Sequence, residues 1–176
     1  MSRALAPKGG NDDVQTPPVL ARLIVRHFNP QGPYMLEPCS GDGNFLAALR
    51  DNARPGTIVD YCEIKKGRDF FSLKPFSFGS KNACDWIVTN PPWSQFRAFL
   101  RHSMALSENI IFLSLVNAWF MRARVRDMWF FGFGIREILY VDTPPPPWPQ
   151  AGFQLGAVWI QRGYRGPVTI TDKTTK

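Results

Sequence analysis

An apolar run cut off by two prolines sets the strongest constraint on this fold. Asp85-Trp86-Ile87-Val88-Thr89 leads directly into Asn90-Pro91-Pro92-Trp93. Trp86, Ile87 and Val88 favour a buried strand. Neither proline can donate to a sheet ladder, so the strand must stop near Asn90. Its carboxyl end then emerges as a stiff loop, because the φ angles of Pro91 and Pro92 are fixed. In open α/β sheets that edge is where ligands bind.

Such a loop has a definite chemistry. The Asn90 side-chain carbonyl and the Pro91 backbone carbonyl are two acceptors that can take both hydrogens of an NH2 group. An amide or aryl amine is a poor nucleophile because its lone pair is delocalised, and two acceptors help to localise that pair. Trp93 offers a flat face on which a planar group can stack, and Pro92 keeps the loop rigid. The plainer reading is a strand, a Pro-Pro loop and a core tryptophan.

A second constellation precedes it. Tyr34-Met35-Leu36-Glu37 reads as a short strand that runs into Pro38-Cys39-Ser40-Gly41-Asp42-Gly43-Asn44-Phe45 and a helix to about Arg50. Gly41 and Gly43 permit positive φ and close approach of a ligand to backbone. The third glycine of a dinucleotide fingerprint is Leu46 here, and no Lys-Ser/Thr follows, so neither NAD nor a nucleoside triphosphate is the expected ligand. Glu37 can receive an ammonium. Thr57–Glu63 is the next strand, and Glu63 is placed to accept both hydroxyls of a ribose. Asp69 stands before Phe70 and Phe71, a carboxylate beside an apolar slot that suits the exocyclic amine of adenine. Taken singly, each acid is equally at home as a turn or surface residue.

The flanks complete an α/β chain. Thr16 is expected as N-cap and Pro17 as first residue of a helix to Phe28. After the Pro-Pro loop come a helix over Gln95–Leu106, a strand over Asn109–Leu115 and a helix over Ala118–Phe130. In the last of these Arg122 and Arg126 share a face and suit phosphates, while Arg124 points elsewhere. Strands follow at Ile135–Val141 and Ala157–Ile160, the latter expected as a last, antiparallel strand. Between them Asp142–Phe153 holds four consecutive prolines, Trp148 and Phe153. Residues 72–83 look like a connection, and residues 1–13 and 166–176 like tails around one domain, 14–165.

Composition narrows the setting. The chain has 176 residues, a net charge of +7 and three widely spaced cysteines. The charge favours an anionic partner, nucleic acid first. The cysteines read as reduced packing residues and not as a zinc or disulfide framework, and no metal ligand set is expected. No apolar run reaches the roughly 20 residues of a membrane span, and the N-terminus lacks the apolar core of a signal peptide. A cytoplasmic protein is expected.

Together, the Leu36–Phe45 turn, Glu63, Gly67–Phe71 and Asn90-Pro91-Pro92-Trp93 resemble the S-adenosylmethionine-dependent N6-adenine methyltransferases in their class γ order, with Gln15-Thr16-Pro17-Pro18 similar to that family's N-terminal motif. The resemblance implies a Rossmann-like class I methyltransferase fold, with a mostly parallel seven-stranded sheet flanked by helices and an antiparallel final strand. It implies S-adenosylmethionine as cofactor, its methionine end held by Thr16, Pro17, Glu37, Pro38, Cys39, Gly41 and Gly43. Glu63 would take the ribose, Asp69 and Phe70 the adenine, with Asn90 close by. Asn90, Pro91, Pro92 and Trp93 would form the catalytic loop; Trp93, Trp148 and Phe153 would border the target base, and Arg122 and Arg126 its phosphates. Tryptophan at position 93 departs from the more usual tyrosine or phenylalanine but keeps the stacking face. A cytosine-C5 enzyme would need Pro-Cys in the catalytic loop; Pro38-Cys39 sits in the glycine turn. The expected partner is DNA, in a bacterial or phage-infected cell. Little room is left for a target-recognition domain, so specificity would be low, loop-encoded or supplied by a protein partner. RNA adenine or a protein glutamine amide are alternative targets, and a non-catalytic binding module is the other reading.

Overall fold

The computed structural model describes residues 12–74 and 84–175. Seven strands form one sheet: β1 (Tyr34–Glu37), β2 (Ile58–Tyr61), β3 (Cys84–Thr89), β4 (Ser107–Leu115), β5 (Phe133–Tyr140), β6 (Leu155–Arg162) and β7 (Thr169–Asp172). Their order is β2-β1-β3-β4-β6-β5-β7. Six strands point the same way; β6 alone runs against both of its neighbours. The helices are α1 (Pro18–Phe28), α2 (Asn44–Asn52), α3 (Phe96–Leu106) and α4 (Arg122–Phe131).

Both faces of the sheet are buried because neighbouring residues on a strand point to opposite sides. Met35, Trp86, Val88, Ile111, Leu113 and Ala157 pack with Ala21, Ile24 and Val25 of α1 and Phe45 and Leu49 of α2. Leu36, Ile87, Ile110, Phe112 and Val158 pack with Phe96, Phe99 and Leu100 of α3 and Met128 of α4. Trp86, Ile87 and Val88 thus serve both cores, which is why that stretch reads as a continuous apolar run. Truncating Ile87, fully buried, to alanine would cost about 2–5 kcal/mol.

Several expectations need correction. Thr16 is not the cap of α1: Pro17 takes that position, Pro18 opens the helix, and no side chain caps it. Two successive prolines shift the start by one residue, since a residue before proline is disfavoured in the helical region and Pro17 accordingly has ψ of 141°. The helix expected over Ala118–Phe130 is broken. A 3-10 turn spans Val116–Phe120, Met121 is extended, and only then does α4 begin. The break drives Trp119 into the core, where its indole Nε1–H donates to Ser114 Oγ at 2.9 Å. Residues 166–176 are not merely a tail, because β7 pairs in parallel with β5. Hence Leu155–Arg162, antiparallel as expected, is not the last strand. β7 is largely exposed and polar, so it carries no hydrophobic alternation to reveal it. The expected 1–13 and 72–83 segments lie in part outside the described residues. Among the described residues no helix is long and apolar enough to cross a membrane.

Candidate functional site

The carboxyl ends of β1, β2, β3 and β4 share one edge, and the residues of interest gather there. At the end of β1, Glu37 leads into a turn stitched to β2: Cys62 N–H donates to Glu37 O at 2.8 Å and Ser40 N–H to Cys62 O at 2.9 Å. Gly41 and Gly43 both take positive φ, +49° and +86°, as the glycine turn required. Gly43 then caps α2.

Glu63 holds this turn from the side. Its Oε2 accepts the Gly41 N–H at 2.7 Å and its Oε1 accepts the Lys65 N–H at 3.0 Å. A carboxylate has about four acceptor positions, so two remain for a diol. The side chain is 7% exposed, which places those positions at the bottom of the edge.

Glu37 is more buried still, at 2% exposure. Burial raises its pKa to about 9; a backbone hydrogen bond from Leu46, at the start of α2, lowers it, Glu63 raises it and Lys66 lowers it. Its Oε2 has no partner among the described residues. Nearby, Thr16 Oγ1, Ser40 Oγ and Asn90 Oδ1 are also buried and unpartnered. Buried polar atoms are nearly always hydrogen-bonded. Four that lack partners among the described residues gather along this one sheet edge, where a polar ligand would supply them.

The loop after β3 is held as the prolines required. The Cys39 thiol lies 2.9 Å from Thr89 Oγ1 and donates to Asn90 O at 3.3 Å, and burial pushes its pKa well up. The Cys39 side chain therefore braces the Asn90 loop. Asn90 Nδ2 donates to Val14 O at 3.4 Å, which aims the amide and leaves Oδ1 to accept. Pro91 is buried, and Pro92 leads into a 3-10 turn over Trp93–Gln95.

The segment before α1, where the Gln15–Pro18 motif was expected at the site and residues up to 13 in a tail, lies across this edge like a strap. Asp12 binds Ser94, Asp13 pairs with Lys65 at 2.6 Å, Gln15 Oε1 accepts the Asp42 N–H at 3.0 Å, and Thr16 O accepts from Asn44 Nδ2 at 2.9 Å. Gln15 also fills the space a Cβ on Gly41 would need. Asp12, Asp13, Gln15 and Ser40 thus also gather at this edge. Partners tens of residues apart leave no pattern in sequence.

The β5–β6 connection reaches the same edge, since Val116 N–H, just after β4, donates to Gln154 O at 2.9 Å. Trp148 is 3% exposed and stands edge-on to Trp93, with ring centroids 6.4 Å apart. Its indole Nε1 is buried without a partner. Phe153, in the same connection, is 57% exposed.

Other expected residues are placed differently. Phe70 is buried in the core, stacked on Phe99 at 5.3 Å, so its ring is spent on packing. Asp69 is exposed and caps a 3-10 turn, accepting the Phe71 N–H at 2.9 Å. Arg122 and Arg126 are exposed on α4. Arg124 instead packs over Phe96 at 5.0 Å, the residue that follows the Trp93–Gln95 turn.

No protein-family profile and no curated protein sequence matches the chain. Solved structures do. A Vibrio vulnificus YJ016 protein described as the modification subunit of a type I restriction enzyme superposes with a TM-score of 0.63 at 14% identity, over 92% of this chain and 47% of that one. A Pyrococcus horikoshii protein described as an RNA methyltransferase gives 0.62 at 13% identity, over 84% and 82%. The 23S rRNA methyltransferase ErmE gives 0.60 at 17% identity, over 86% and 72%. The chain thus spans about half the length of the modification subunit and most of the other two. At these identities the likeness is one of fold, and that fold is the Rossmann-like class I fold of S-adenosylmethionine-dependent methyltransferases.

Proposed function

We propose that the chain is an S-adenosylmethionine-dependent methyltransferase that modifies the exocyclic N6 amine of adenine in DNA. The observation that carries this reading is the Asn90 side chain: buried, fixed through Nδ2 to Val14, and unpartnered at Oδ1, beside Pro91 and the Trp93–Trp148 pair. A site that only bound a ligand would have no need of a rigid acceptor next to a second carbonyl.

The residues fit the cofactor. Glu37 Oε2 and Thr16 Oγ1 suit the charged amino-acid end, with Pro17, Pro38 and the backbone of Cys39, Gly41 and Gly43 around it. Glu63 keeps two acceptor positions for the ribose. Asp69 and Phe70 are the weaker part: Asp69 has a second carboxylate oxygen for an amine, while Phe70 supports the slot only from within the core. Bound S-adenosylmethionine would supply an electrophilic methyl group and leave as the thioether. Asn90 Oδ1 and Pro91 O would accept the two N–H bonds of the target amine, and Pro92 would keep them in position. Trp93 and Phe153 would stack on the base, Trp148, whose ring is buried in the core, would instead brace Trp93 edge-on, and Arg122 and Arg126 would take phosphates. Orientation supplies much of the rate in such a transfer. A base in a duplex must leave its stack to reach this edge.

RNA is the second reading. The two RNA-related structures share 82% and 72% of their length with this chain, against 47% for the modification subunit. The modification subunit's extra length leaves a protein partner or additional domain as the source of DNA specificity.

Incubating the protein with labelled S-adenosylmethionine and duplex DNA, single-stranded DNA, RNA or a protein extract tests the proposal. Mass spectrometry should find N6-methyladenine in DNA. Label in RNA or in glutamine moves the substrate, and cofactor binding without transfer to any of them would reject the catalytic reading.

A further inference from the structure

The outer face of α4 is built in a way that packing does not explain. Trp129 is 83% exposed and Phe130 82%, with Met121 at 57% and Val125 at 37% beside them. Residues four apart on a helix are neighbours, so Arg122, Arg126 and Phe130 form one stripe and Val125 and Trp129 the next, with the exposed, extended Met121 just before the helix. Under Trp129 lies a groove of about 380 Å³ whose lining includes Val125, Tyr164, Arg165 and Val168. A second hollow of about 400 Å³ is lined by Val125, Arg126, Trp129 and Phe130. Among the described residues no acid lines either. The one acid of α4, Asp127, is turned inward and held by Arg97 at 2.6 Å and Arg101 at 3.0 Å.

This face starts at the rim of the candidate site. The 3-10 turn before α4 begins where β4 ends, at the same edge as Asn90. Arg124 anchors the first turn of α4 over Phe96, directly after the Trp93–Gln95 turn. From Arg122 to Phe130 the helix then runs about 12 Å away from that rim.

We infer that the Arg122–Phe130 face of α4 is a docking track for single-stranded nucleic acid. Arg122 and Arg126 would follow the phosphates while bases lie against Trp129 and Phe130. The inference rests on the proposal that the substrate is a nucleic acid and adds where the strand runs and in what state. Charge decides the occupant. A second copy of this chain would bring another +7 protein against an arginine stripe that pairs with no acid among the described residues, whereas a nucleic acid brings negative charge. Exposed aromatics decide the strand state. A duplex hides its base faces in the stack, and only unpaired bases can stack on Trp129 and Phe130.

The test uses the full chain and a fluorescein-labelled 12-nucleotide single-stranded DNA containing adenine, alongside its duplex. Anisotropy titration should show tighter binding of the single strand. The double variant Trp129→Ala/Phe130→Ala should weaken single-strand binding about 10-fold or more, given the usual value of base–aromatic stacking. It should leave the duplex and the S-adenosylhomocysteine dissociation constant unchanged, the latter showing that the fold is intact. An unchanged single-strand affinity, or an equal loss for duplex, would overturn the inference. So would loss of a self-associated species in sedimentation without any change in DNA binding, which would identify a protein interface. If the wild type binds the strand through this face and transfers no methyl group to it, the docking track stands and the N6-adenine reading fails.

Discussion

The Glu63 carboxylate accepts the Gly41 backbone N–H at 2.7 Å, joining the end of β2 to the glycine turn after β1. The same carboxylate accepts the Lys65 N–H. One side chain therefore sets the turn's shape and keeps acceptor positions for a ligand. Glu63→Ala removes both, and a charged hydrogen bond is worth about 1.5–3 kcal/mol. S-adenosylmethionine should bind at least ~10-fold more weakly by titration calorimetry. Glu63→Gln, which keeps one acceptor, should lose less. An unchanged dissociation constant in Glu63→Ala would remove this residue from the site.

Asn90→Ala separates binding from chemistry. Removing a positioned hydrogen-bonding group of this type costs about 10²–10³ in rate. Turnover should fall by that much in a methyl-transfer assay, while cofactor affinity stays within about threefold, because Glu37, Glu63 and the glycine turn are untouched. Wild-type turnover in this variant would end the catalytic assignment.

Glu37 makes both stability and cofactor binding depend on pH. Its folded pKa, about 9, lies above the ordinary carboxylate value of 4.5, mainly through burial. The folded state thus holds the proton more tightly than the unfolded one. The stabilisation is complete below pH 4.5 and is lost as pH rises towards 9. Glu37→Gln should therefore melt higher than wild type without ligand, by at least about 3 °C at pH 8, with the gap closing towards pH 5. Binding works in the opposite direction. An ammonium beside Glu37 favours the carboxylate and lowers its pKa, so the bound state sheds protons. Wild-type affinity should rise from pH 6 to about 8, where an α-amino group begins to lose its own charge. Calorimetry at pH 7 in two buffers of different ionisation enthalpy should show proton release that Glu37→Gln lacks. Equal heats after correction for binding enthalpy would contradict it.

The candidate site was legible where one short stretch carries both the fold and the proposed chemistry. Pro91 and Pro92 end β3 and so announce the loop that holds Asn90. Gly41 and Gly43 announce the turn, and the acid at the end of the next strand is Glu63. Residues that meet only across the fold left no such trace. Nothing in the local sequence joins Asp12 to Ser94 or Cys39 to Thr89. Phe70 shows the converse, because an aromatic beside an acid suggests a ligand slot, yet its ring packs against Phe99 and His102. β7 was missed since an exposed edge strand needs no apolar face, and α4 was read too long since Trp119 and Phe120 suit a helix until the core claims Trp119.

Gly41 and Gln15 give a prediction in which two costs can be told apart. Gly41 has φ of +49°, a region where an L-residue costs about 1–2 kcal/mol. A Cβ there would also collide with the Gln15 side chain, displacing the acceptor of the Asp42 N–H. Gly41→Ala should therefore weaken cofactor binding through strain in the turn and through release of the strap. Gln15→Ala loses a hydrogen bond but opens space, so its own effect should be small, about 1 kcal/mol. In the double variant the collision is gone and the strain remains. Its dissociation constant should lie below that expected from adding the two single effects, a coupling of about 0.5 kcal/mol or more in a double-mutant cycle. Strict additivity would mean that Gln15 and Gly41 do not share the space, and that the segment before α1 has no part in shaping the turn.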